Sequence, residues 1–297
     1  MRSSRLATLA LTSMFVGYAC LGASAHRNIS TRTTSDDVRG CGDLRVEFDG
    51  EPAATSEEAI TVPAGTGNTL TVRPPQNGGV YVIGSAHKDY AVITCKAVAP
   101  GADARAQLDA IHTTANGGTV STTGVANDDT MVHYIVDAPA DGALDLSAHN
   151  GPISVREFGG RSKLRTQNGP VSLDNVSGQV NAFAQNGPIH FRGDRGTIEL
   201  ETQNGPIGVD LAGTRWTDGS LTARAQNGPA QLKVPAGFAS GVRVQSSNHS
   251  PWSCDGAGCG RARKDWDDSS RSFELGEGPV LVRLSTVNGP VQVRAGN

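Results

Sequence analysis

A single tripeptide, Asn-Gly-Pro, recurs along this chain at a nearly fixed interval and constrains the fold more than any other feature. The copies begin at Asn150, Asn168, Asn186, Asn204, Asn227 and Asn288. The first four copies are separated by 18 residues and the next by 23. A short fixed period is the sequence signature of stacked repeats, in which each unit packs mainly on its neighbours. We therefore expect a stack of similar structural corners.

Each corner is flanked by two short segments of alternating polarity. Apolar or small residues stand two and four positions before the Asn and three and five positions after it, as in Leu164, Thr166, Val171 and Leu173 of the second copy. Alternation with a period of two indicates strands with one buried face. A second glycine stands eight positions before the Asn in the first five copies, so each repeat has two strands and two corners.

Two architectures fit this repeat: a stacked parallel coil and an antiparallel meander with Asn-Gly hairpins. The Asn-Gly dipeptide alone favours the hairpin. The following Pro argues against it, because Pro removes a donor from the residue pair that closes a hairpin but can begin a strand after an open corner. We predict an all-β fold, a parallel two-sheet β-solenoid with about 18 residues per coil.

The parallel register makes two side-chain rows testable. Six residues after the first five Asn stand charges of alternating sign: Arg156, Asp174, Arg192, Asp210 and Lys233. The amides directly before the Asn, at Gln167, Gln185, Gln203 and Gln226, are expected to form a coil-to-coil ladder together with the Asn. We attribute the Gly of each corner to the backbone conformations that a sharp turn needs.

Weaker copies extend the pattern in both directions. Asn77 and Asn116 are expected at degenerate coils, and Val242 and Val244 precede a further corner at Asn248. The repeat is then expected to resume with Phe273, Leu275, Val282 and Leu284. The predicted layout is a signal peptide over 1–25, a flexible segment over 26–40, degenerate coils or a β-rich cap over 41–140, and the regular solenoid over 141–297 with an insertion at 249–272.

The N-terminus has the features of a secretory signal. Arg2 and Arg5 precede an apolar run over 6–16, and small residues lead up to a predicted cleavage after Ala25. We expect an exported protein of the periplasm, the cell surface or the medium, with no membrane span after cleavage. The alternative is that Cys20 carries the lipid of a bacterial lipoprotein.

The remaining cysteines number four, an even count in a chain predicted to be exported, and this favours disulfides. The favoured pairs are Cys41 with Cys95 and Cys254 with Cys259, although three connectivities are open. The stretch CDGAGCG could also be half of a zinc knuckle, but no second Cys or His pair stands at ligand spacing.

Charge and motifs exclude several function classes. The formal net charge is −3, so nucleic acid is not an expected partner. No GxSxG, HExxH or phosphate-loop pattern occurs, and the seven His residues do not cluster by spacing. We expect no catalytic residue, no metal and no cofactor. Dispersed acidic residues on the repeats leave one alternative open, a carbohydrate-active enzyme of the cell envelope.

Recognition is expected in the segment that interrupts the repeats, because loops on a rigid scaffold often carry function. Its candidate partner-binding residues are Trp252, Arg261, Arg263, Lys264, Asp265 and Trp266. Trp side chains stack on sugar rings or anchor protein partners, so the expected partner is an envelope protein or a glycan. The alternative is that both Trp side chains only pack over an open edge of the stack.

The NGPI and NGPV corners, the two-strand repeats of 18 residues and the late CDGAGCG segment resemble the bacterial putative-adhesin family of β-solenoid proteins. The resemblance covers roughly residues 40–297 and implies a fold and an extracytoplasmic setting, but no ligand and no catalytic residue. We expect a non-enzymatic exported scaffold. A self-assembling structural surface protein is a further alternative, because a final coil at NGPVQVRAGN could pair end to end with another copy.

Overall fold

The computed structural model of the chain describes residues 27–35, 37–65, 68–125, 129–247, 250–267 and 269–296. These residues form an all-β structure with one short α-helix, α1 (Ala104–Ala110), and 3-10 helices at Cys41–Asp43 and Ala257–Arg261. The strands that precede the regular repeats are β1 (Ile29–Thr33), β2 (Leu44–Phe48), β3 (Glu51–Pro52), β4 (Ala54–Val62), β5 (Thr69–Val72), β6 (Val80–Ser85), β7 (Tyr90–Val98), β8 (His112–Asn116), β9 (Thr119–Thr123) and β10 (Thr130–Pro139).

The strands of the regular repeats are β11 (Ala143–Asn150), β12 (Ile153–Arg156), β13 (Arg161–Asn168), β14 (Val171–Asp174), β15 (Gln179–Asn186), β16 (Ile189–Gly193), β17 (Thr197–Asn204), β18 (Ile207–Leu211), β19 (Leu221–Asn227) and β20 (Ala230–Val234). The strands of the C-terminal part are β21 (Gly241–Ser247), β22 (Trp252–Asp255), β23 (Arg263–Trp266), β24 (Ser270–Leu275), β25 (Val280–Asn288) and β26 (Val291–Ala295).

Most strands belong to two large sheets, which we call sheet I and sheet II. Sheet I has the strand order β22-β26-β20-β18-β16-β14-β12-β6-β10-β7-β4. Sheet II has the order β23-β24-β21-β25-β19-β17-β15-β13-β11-β5-β9-β8. A small third sheet has the order β1-β2-β3. From β11 to β20 the chain alternates between sheet II and sheet I, so each repeat contributes one strand to each large sheet.

Equivalent residues of successive repeats lie side by side in parallel strands. In sheet II, Leu146 is opposite Leu164, and Asn150 is opposite Asn168. The same offset of one repeat relates every neighbouring pair from β11 to β20 in both sheets. The parallel register predicted from the repeats is confirmed, and the antiparallel alternative is wrong for this part of the chain.

The predicted charge row lines up across sheet I and is tied together by ion pairs. Asp174 is reached by Arg156 at 3.0 Å and by Arg192 at 3.8 Å, and Lys233 lies 2.6 Å from Asp210. Opposite charges on neighbouring strands stabilise a sheet by roughly 0.2–1 kcal/mol per pair. The alternating signs therefore help to hold the register, which is the structural interpretation of this row.

The core lies between the two large sheets and is filled by the alternating apolar residues of the repeats. Leu164, Val171, Leu173 and Phe191 are each at most 1% exposed. The longer repeat before Asn227 adds Trp216 to this core, where the ring is 2% exposed and lies 5.9 Å from that of Phe191. Its indole Nε1 donates to the carbonyl oxygen of Gly196 at 3.1 Å. The five extra residues of that repeat thus supply a core side chain that the periodicity did not predict.

A continuous ladder of Asn side chains runs along one corner of the stack. Each Asn Nδ2 donates to the Oδ1 of the preceding Asn over 2.9–3.2 Å, through Asn77, Asn150, Asn168, Asn186, Asn204, Asn227 and Asn288. Within the described residues, no Gln–Gln hydrogen bond accompanies this ladder. The expectation of a combined Gln and Asn ladder is therefore correct only for the Asn.

The Gly of each corner is needed for close approach between coils. A Cβ at Gly169, Gly187 or Gly205 would lie 2.1–2.3 Å from the carbonyl oxygen of the corner Gly one coil earlier. The φ angles of these three residues lie outside the left-handed region that favours Gly. The reason predicted from the sequence, an unusual turn conformation, is wrong at these corners, because the backbones pack too closely for any side chain.

The two weaker corners upstream differ from each other. Asn77 lies beside Asn150, and β5 and β6 pair in parallel with β11 and β12, so this segment is a true member of the stack. Asn116 instead belongs to the β8–β9 hairpin, where Gly117 and Gly118 have φ angles of 55° and 82°. The prediction of a coil at Asn116 is wrong, because two consecutive residues with positive φ form a tight antiparallel turn.

Antiparallel strands cover the N-terminal end of the stack. In sheet I, β10 pairs in parallel with β6 and antiparallel with β7, and β7 pairs antiparallel with β4. A disulfide joins Cys41 to Cys95 on β7, which is the pairing favoured by the sequence. The segment 26–40, which was expected to be flexible, contains β1. This strand pairs antiparallel with β2 over Ile29–Thr33, so the prediction is wrong for these residues.

The C-terminal coil lies inside the stack and not at its end. Strand β25 is paired with β19 on one side and β21 on the other, and β26 lies between β20 and β22. The uncovered final coil that motivated end-to-end assembly is therefore not observed. The coil β21–β22, which comes earlier in the sequence, covers it.

The segment expected to be an insertion forms regular structure. Strand β22 pairs in parallel with β26, with Trp252 opposite Val291, and β23 pairs antiparallel with β24. Phe273 lies on β24, which is antiparallel to β21, so the prediction that the repeat resumes there is wrong. The parallel register resumes with β25, where Val282 and Leu284 are buried.

Several sequence-based expectations fall on residues outside the described ranges. They are the signal peptide over 1–25, the lipid-bearing Cys20 and the corner at Asn248. Within the described ranges, no helix has the length and hydrophobicity needed to cross a bilayer.

Candidate functional site

The predicted partner-binding residues lie at the end of the stack formed by β22, the 3-10 helix at Ala257–Arg261, β23 and β24, which we call the C-terminal edge. Strand β23 is the outermost strand of sheet II, and all four of its residues are exposed. It pairs only with β24 among the described strands. Because side chains alternate along a strand, Lys264 and Trp266 point to one face of β23, and Arg263 and Asp265 to the other.

Trp266 is the most exposed large apolar side chain in the described part of the chain, at 52%. Two cations flank its ring: the Arg271 Cζ lies 5.2 Å from the ring centroid and the Lys264 Nζ lies 5.8 Å from it. Arg271 is fixed in turn by donating from Nη1 to the carbonyl oxygen of Ser250 at 3.1 Å. The indole is thus held in an ordered, cationic setting on the surface.

Trp252 has a different environment. Its ring is half-buried and lies 6.0 Å from the ring of Phe273, a residue that is 1% exposed. Its indole Nε1 donates to the Oγ of Ser246 at 2.5 Å. Trp252 therefore packs over the end of the core, which is the role that the alternative interpretation assigned to both Trp residues.

The opposite face of β23 is organised around Glu274. Its Oε1 accepts from Arg243 Nε at 2.5 Å, and its Oε2 accepts from Arg263 Nη2 at 3.0 Å. Hydrogen bonds from Arg243 and then Arg263 lower the pKa of this carboxyl, against a smaller opposing effect of burial. Arg263 therefore helps to hold β23 against β24, through a carboxylate that Arg243 of β21 also contacts.

The turn between β23 and β24 is fixed by Asp267. Its carboxylate accepts from the backbone N–H groups of Ser269 and Ser270, both at 2.7 Å, and from their hydroxyls at 2.9 and 3.0 Å. These bonds, led by the backbone N–H of Ser269, lower the pKa of Asp267 to about 2. Asp267 is not among the partner-binding residues predicted from the sequence, although a run of Asp and Ser is a common turn signal.

The C-terminal edge also contains a disulfide and borders a cavity. Cys254 and Cys259 are bonded to each other, so the reading of CDGAGCG as half of a zinc site is wrong. Arg261 and Arg263 line a cavity of about 430 Å³ together with Phe238 and Glu277. The structure thus divides the predicted residues into two groups. Lys264 and Trp266 lie beside Arg271, whereas Arg261 and Arg263 line the cavity. Trp252 and Asp265 belong to neither group.

One group elsewhere has residue types found in hydrolytic sites. Ser85, His87 and Asp137 lie close together beside a cavity of about 690 Å³, whose lining includes Ser85 and His87. The Ser85 hydroxyl donates to Asp137, and His87 Nδ1 lies 3.1 Å from the same carboxylate. The hydroxyl proton therefore faces the carboxylate and not the imidazole, which differs from the nucleophile and base arrangement of a catalytic triad.

Among the residues that the structure describes, no three His, Cys, Asp or Glu side chains are placed to hold a metal ion.

No family model and no curated protein matches this sequence. The chain is similar in structure to a putative cell adhesion protein from Clostridium sporogenes, with 9% identity and a TM-score of 0.34, over 82% of this chain and 100% of that one. It is also similar to a putative adhesin from Bacteroides fragilis, with 8% identity and a TM-score of 0.33, over 82% of this chain and 97% of that one.

A third similar structure is a putative lipid binding protein from Parabacteroides distasonis, with 9% identity, a TM-score of 0.26, and coverage of 81% of this chain and 96% of that one. These TM-scores are too low to establish a family or a function.

Proposed function

We propose that this chain is an exported, non-enzymatic scaffold of the cell envelope, an adhesin-like protein whose repeats form a parallel two-sheet β-solenoid. The parallel register, the core between the sheets and the Asn ladder support the solenoid. Two disulfides support export, because such bonds persist in oxidising compartments. The proposed layout is a signal peptide over 1–25, an N-terminal cap up to about residue 140, and regular coils beyond it, closed by the C-terminal edge.

We further propose that the scaffold binds a protein partner through the C-terminal edge. The observation that carries this proposal is the exposure of Trp266, with two cations close to its ring, on a strand that pairs with β24. Trp and Arg are the residues most enriched among interface hot spots. The surface that fits this site offers an apolar pocket for the indole and carboxylates for Lys264 and Arg271.

The test separates binding from folding by using three alanine variants. The wild-type protein is used to capture partners from an envelope extract, and the dissociation constant of each captured, purified protein is then measured. We expect Trp266→Ala to weaken binding about thirtyfold, the effect of a hot-spot truncation, without changing the melting temperature.

Two control variants complete this experiment. Val287→Ala removes another large apolar side chain that is 43% exposed, and it should leave the affinity within about twofold. Trp252→Ala should lower the melting temperature, because it opens the packing on Phe273. Failure to capture any protein, or equal affinity of Trp266→Ala and Val287→Ala, would refute a binding role for Trp266.

Export and the absence of catalysis are tested separately. Mass spectrometry of the protein recovered outside the cytoplasm should give a mature N-terminus at His26, whereas a lipoprotein would begin at a lipid-modified Cys20. Hydrolysis assays on envelope polysaccharides should show no turnover. Any glycan cleavage that is lost on replacing a carboxylate of this chain would establish the enzymatic alternative instead.

A further inference from the structure

The outer face of sheet II carries a row of side chains that the repeats do not explain. In adjacent strands, Ser147 lies opposite Arg165, Arg165 opposite Phe183, Phe183 opposite Glu201, and Glu201 opposite Arg224. Phe183 is half-buried and points away from the core, while Arg165, Glu201 and Arg224 are exposed. An aromatic ring therefore stands on the solvent face of a parallel sheet, flanked by charges.

The charges in this row are unpaired, in contrast to those of sheet I. Within the ranges that the structure describes, Arg165, Glu201 and Arg224 take part in no salt bridge and no side-chain hydrogen bond. Neighbouring strands lie roughly 4.8 Å apart in both large sheets. On sheet I, charges of alternating sign form ion pairs across this distance. The row on sheet II therefore has hydrogen-bonding groups that remain free for a ligand.

Two shallow depressions lie on either side of Phe183. One, of about 520 Å³, is lined by Arg73, His149, Arg165 and Phe183 and contains no acidic residue. The other, of about 330 Å³, is lined by Arg165, Phe183, Glu201 and Arg224, among others. The small side chain of Ser147 forms part of the floor between Arg73 and Arg165. The two depressions thus form one groove that the Phe183 ring divides. One half is lined by cations without any acidic residue, and the other half is lined by both cations and carboxylates.

We propose that this groove binds an acidic saccharide containing uronic acid residues. The exposed edge and face of Phe183 provide an apolar surface on which a sugar ring can stack. Arg165 and Arg73 can hold the carboxylate of a uronic acid by charge-assisted hydrogen bonds, and Arg favours the planar geometry of that group. Glu201 can accept from sugar hydroxyls on the other side of the ring, and Gln185, in the same depression as Arg73, can accept from and donate to them.

Charge complementarity decides between an acidic and a neutral saccharide. A neutral sugar needs hydroxyl partners but leaves Arg73 and Arg165 without a counter-charge, whereas a uronate supplies it. The whole chain carries a formal net charge of −3, so attraction to an acidic polymer has to be local to this groove. Binding should accordingly weaken as the salt concentration rises.

This site is independent of the protein partner proposed for the C-terminal edge. Phe183 lies on β15, and six strand spacings separate β15 from β23 in sheet II, which is roughly 30 Å. A failure of either proposal therefore leaves the other standing.

The probes are oligomers of galacturonic acid and of mannuronic acid, with the methyl ester of each oligomer as its uncharged counterpart. Calorimetric titration of the full chain should show that at least one acid oligomer binds, and that esterification weakens that binding. Arg165→Gln should weaken binding of the acid form about tenfold, and Phe183→Ala should weaken binding of the acid and ester forms alike, also about tenfold.

The matched control is Lys163→Gln, which removes the same charge two residues away on β13 but lies outside both depressions. It should leave the affinity within about twofold. Melting temperatures should change little in all three variants, because the replaced side chains lie on the outer face of sheet II and not in the core. The proposal is overturned if neither acid oligomer binds at millimolar concentration, if the ester binds equally well, or if Arg165→Gln and Lys163→Gln have the same effect.

Discussion

Acidification should destabilise the folded chain through His133, a residue of β10 that is 1% exposed. Burial lowers the pKa of His133 to about 4, from 6.5 for an accessible imidazole. Its Nδ1 accepts from the backbone N–H of Gly79 at 2.9 Å. An N–H can only donate, so the neutral ring carries its proton on Nε2, which faces the Thr31 hydroxyl at 3.1 Å. Protonation would place a second donor against the Gly79 N–H.

The sign and size of the effect follow from linkage. Between about pH 6.5 and pH 4 the unfolded chain binds a proton at this His that the folded chain does not, so the free energy of unfolding falls as the pH falls. The loss begins near the unfolded pKa and is complete below the folded one. A difference of about 2.5 pH units corresponds to about 3 kcal/mol.

The assay is denaturant unfolding of the wild type and of His133→Gln at about pH 7.5 and about pH 4. Carboxyls with lowered pKa, such as Glu58 and Glu274, also lose stabilising interactions on acidification, but they do so in both proteins. The wild type should therefore lose about 3 kcal/mol more than the variant over this interval. Equal losses, or a midpoint near 6.5 for His133 in an NMR titration of the folded protein, would refute the reasoning.

Two further predictions concern the corner of the stack. Asn186→Ala removes both ladder hydrogen bonds of this side chain and should lower the free energy of unfolding by about 1–2 kcal/mol, whereas Gln185→Ala next to it should change it by less than about 0.5 kcal/mol. Gly187→Ala places a Cβ 2.1 Å from the carbonyl oxygen of Gly169 and should cost roughly 3 kcal/mol. Gly101→Ala, with no atom within 4 Å of the added Cβ, is its control, and equal unfolding midpoints for these two Gly variants would contradict the close-packing account.

The repeat itself was the most informative part of the sequence. Spacing and alternation predicted which residues are buried and how the strands pair, because a parallel stack places equivalent residues side by side. The alternation of Arg156, Asp174 and Arg192 was a usable sign of register for the same reason. These inferences depend on local patterns that every coil repeats.

The order of coils in space could not be inferred from their order in sequence. A signal was nevertheless present: the copy at Asn288 has the full Asn-Gly-Pro motif, while the copy before it continues with His and Ser. A Cβ at Gly289 would lie 2.0 Å from the carbonyl oxygen of Gly228, so a full corner packs best on another full corner. The coil β21–β22, whose sequence lacks the full motif, accordingly lies on the far side of β25 and β26 from β19 and β20.

The periodicity of the sequence could not distinguish buried from exposed side chains at the candidate sites. It grouped Trp252 with Trp266, although Trp252 packs on Phe273 while Trp266 lies exposed on the outermost strand of sheet II. It identified the outward row of sheet II only as polar positions, so the significance of Phe183 required the register across five strands and the absence of ion pairs there. Such features arise from the contacts between coils and are not present in any single repeat.

The position of the C-terminal coil has a consequence for the order of folding. Three of the six neighbouring Asn pairs of the ladder are 18 residues apart in sequence and a fourth is 23 apart. Asn288 and its partner Asn227 are instead 61 apart, and Asn150 and Asn77 are 73 apart. Closing a chain segment three to four times longer costs about 1 kcal/mol more in entropy. The middle coils can therefore assemble first by short closures, and the two ends are completed later. The disulfide Cys41–Cys95 lies at one of those ends and spans 54 residues, so it limits the opening of the stack there. The disulfide Cys254–Cys259 lies at the other end and spans 5 residues, so it closes only a local loop.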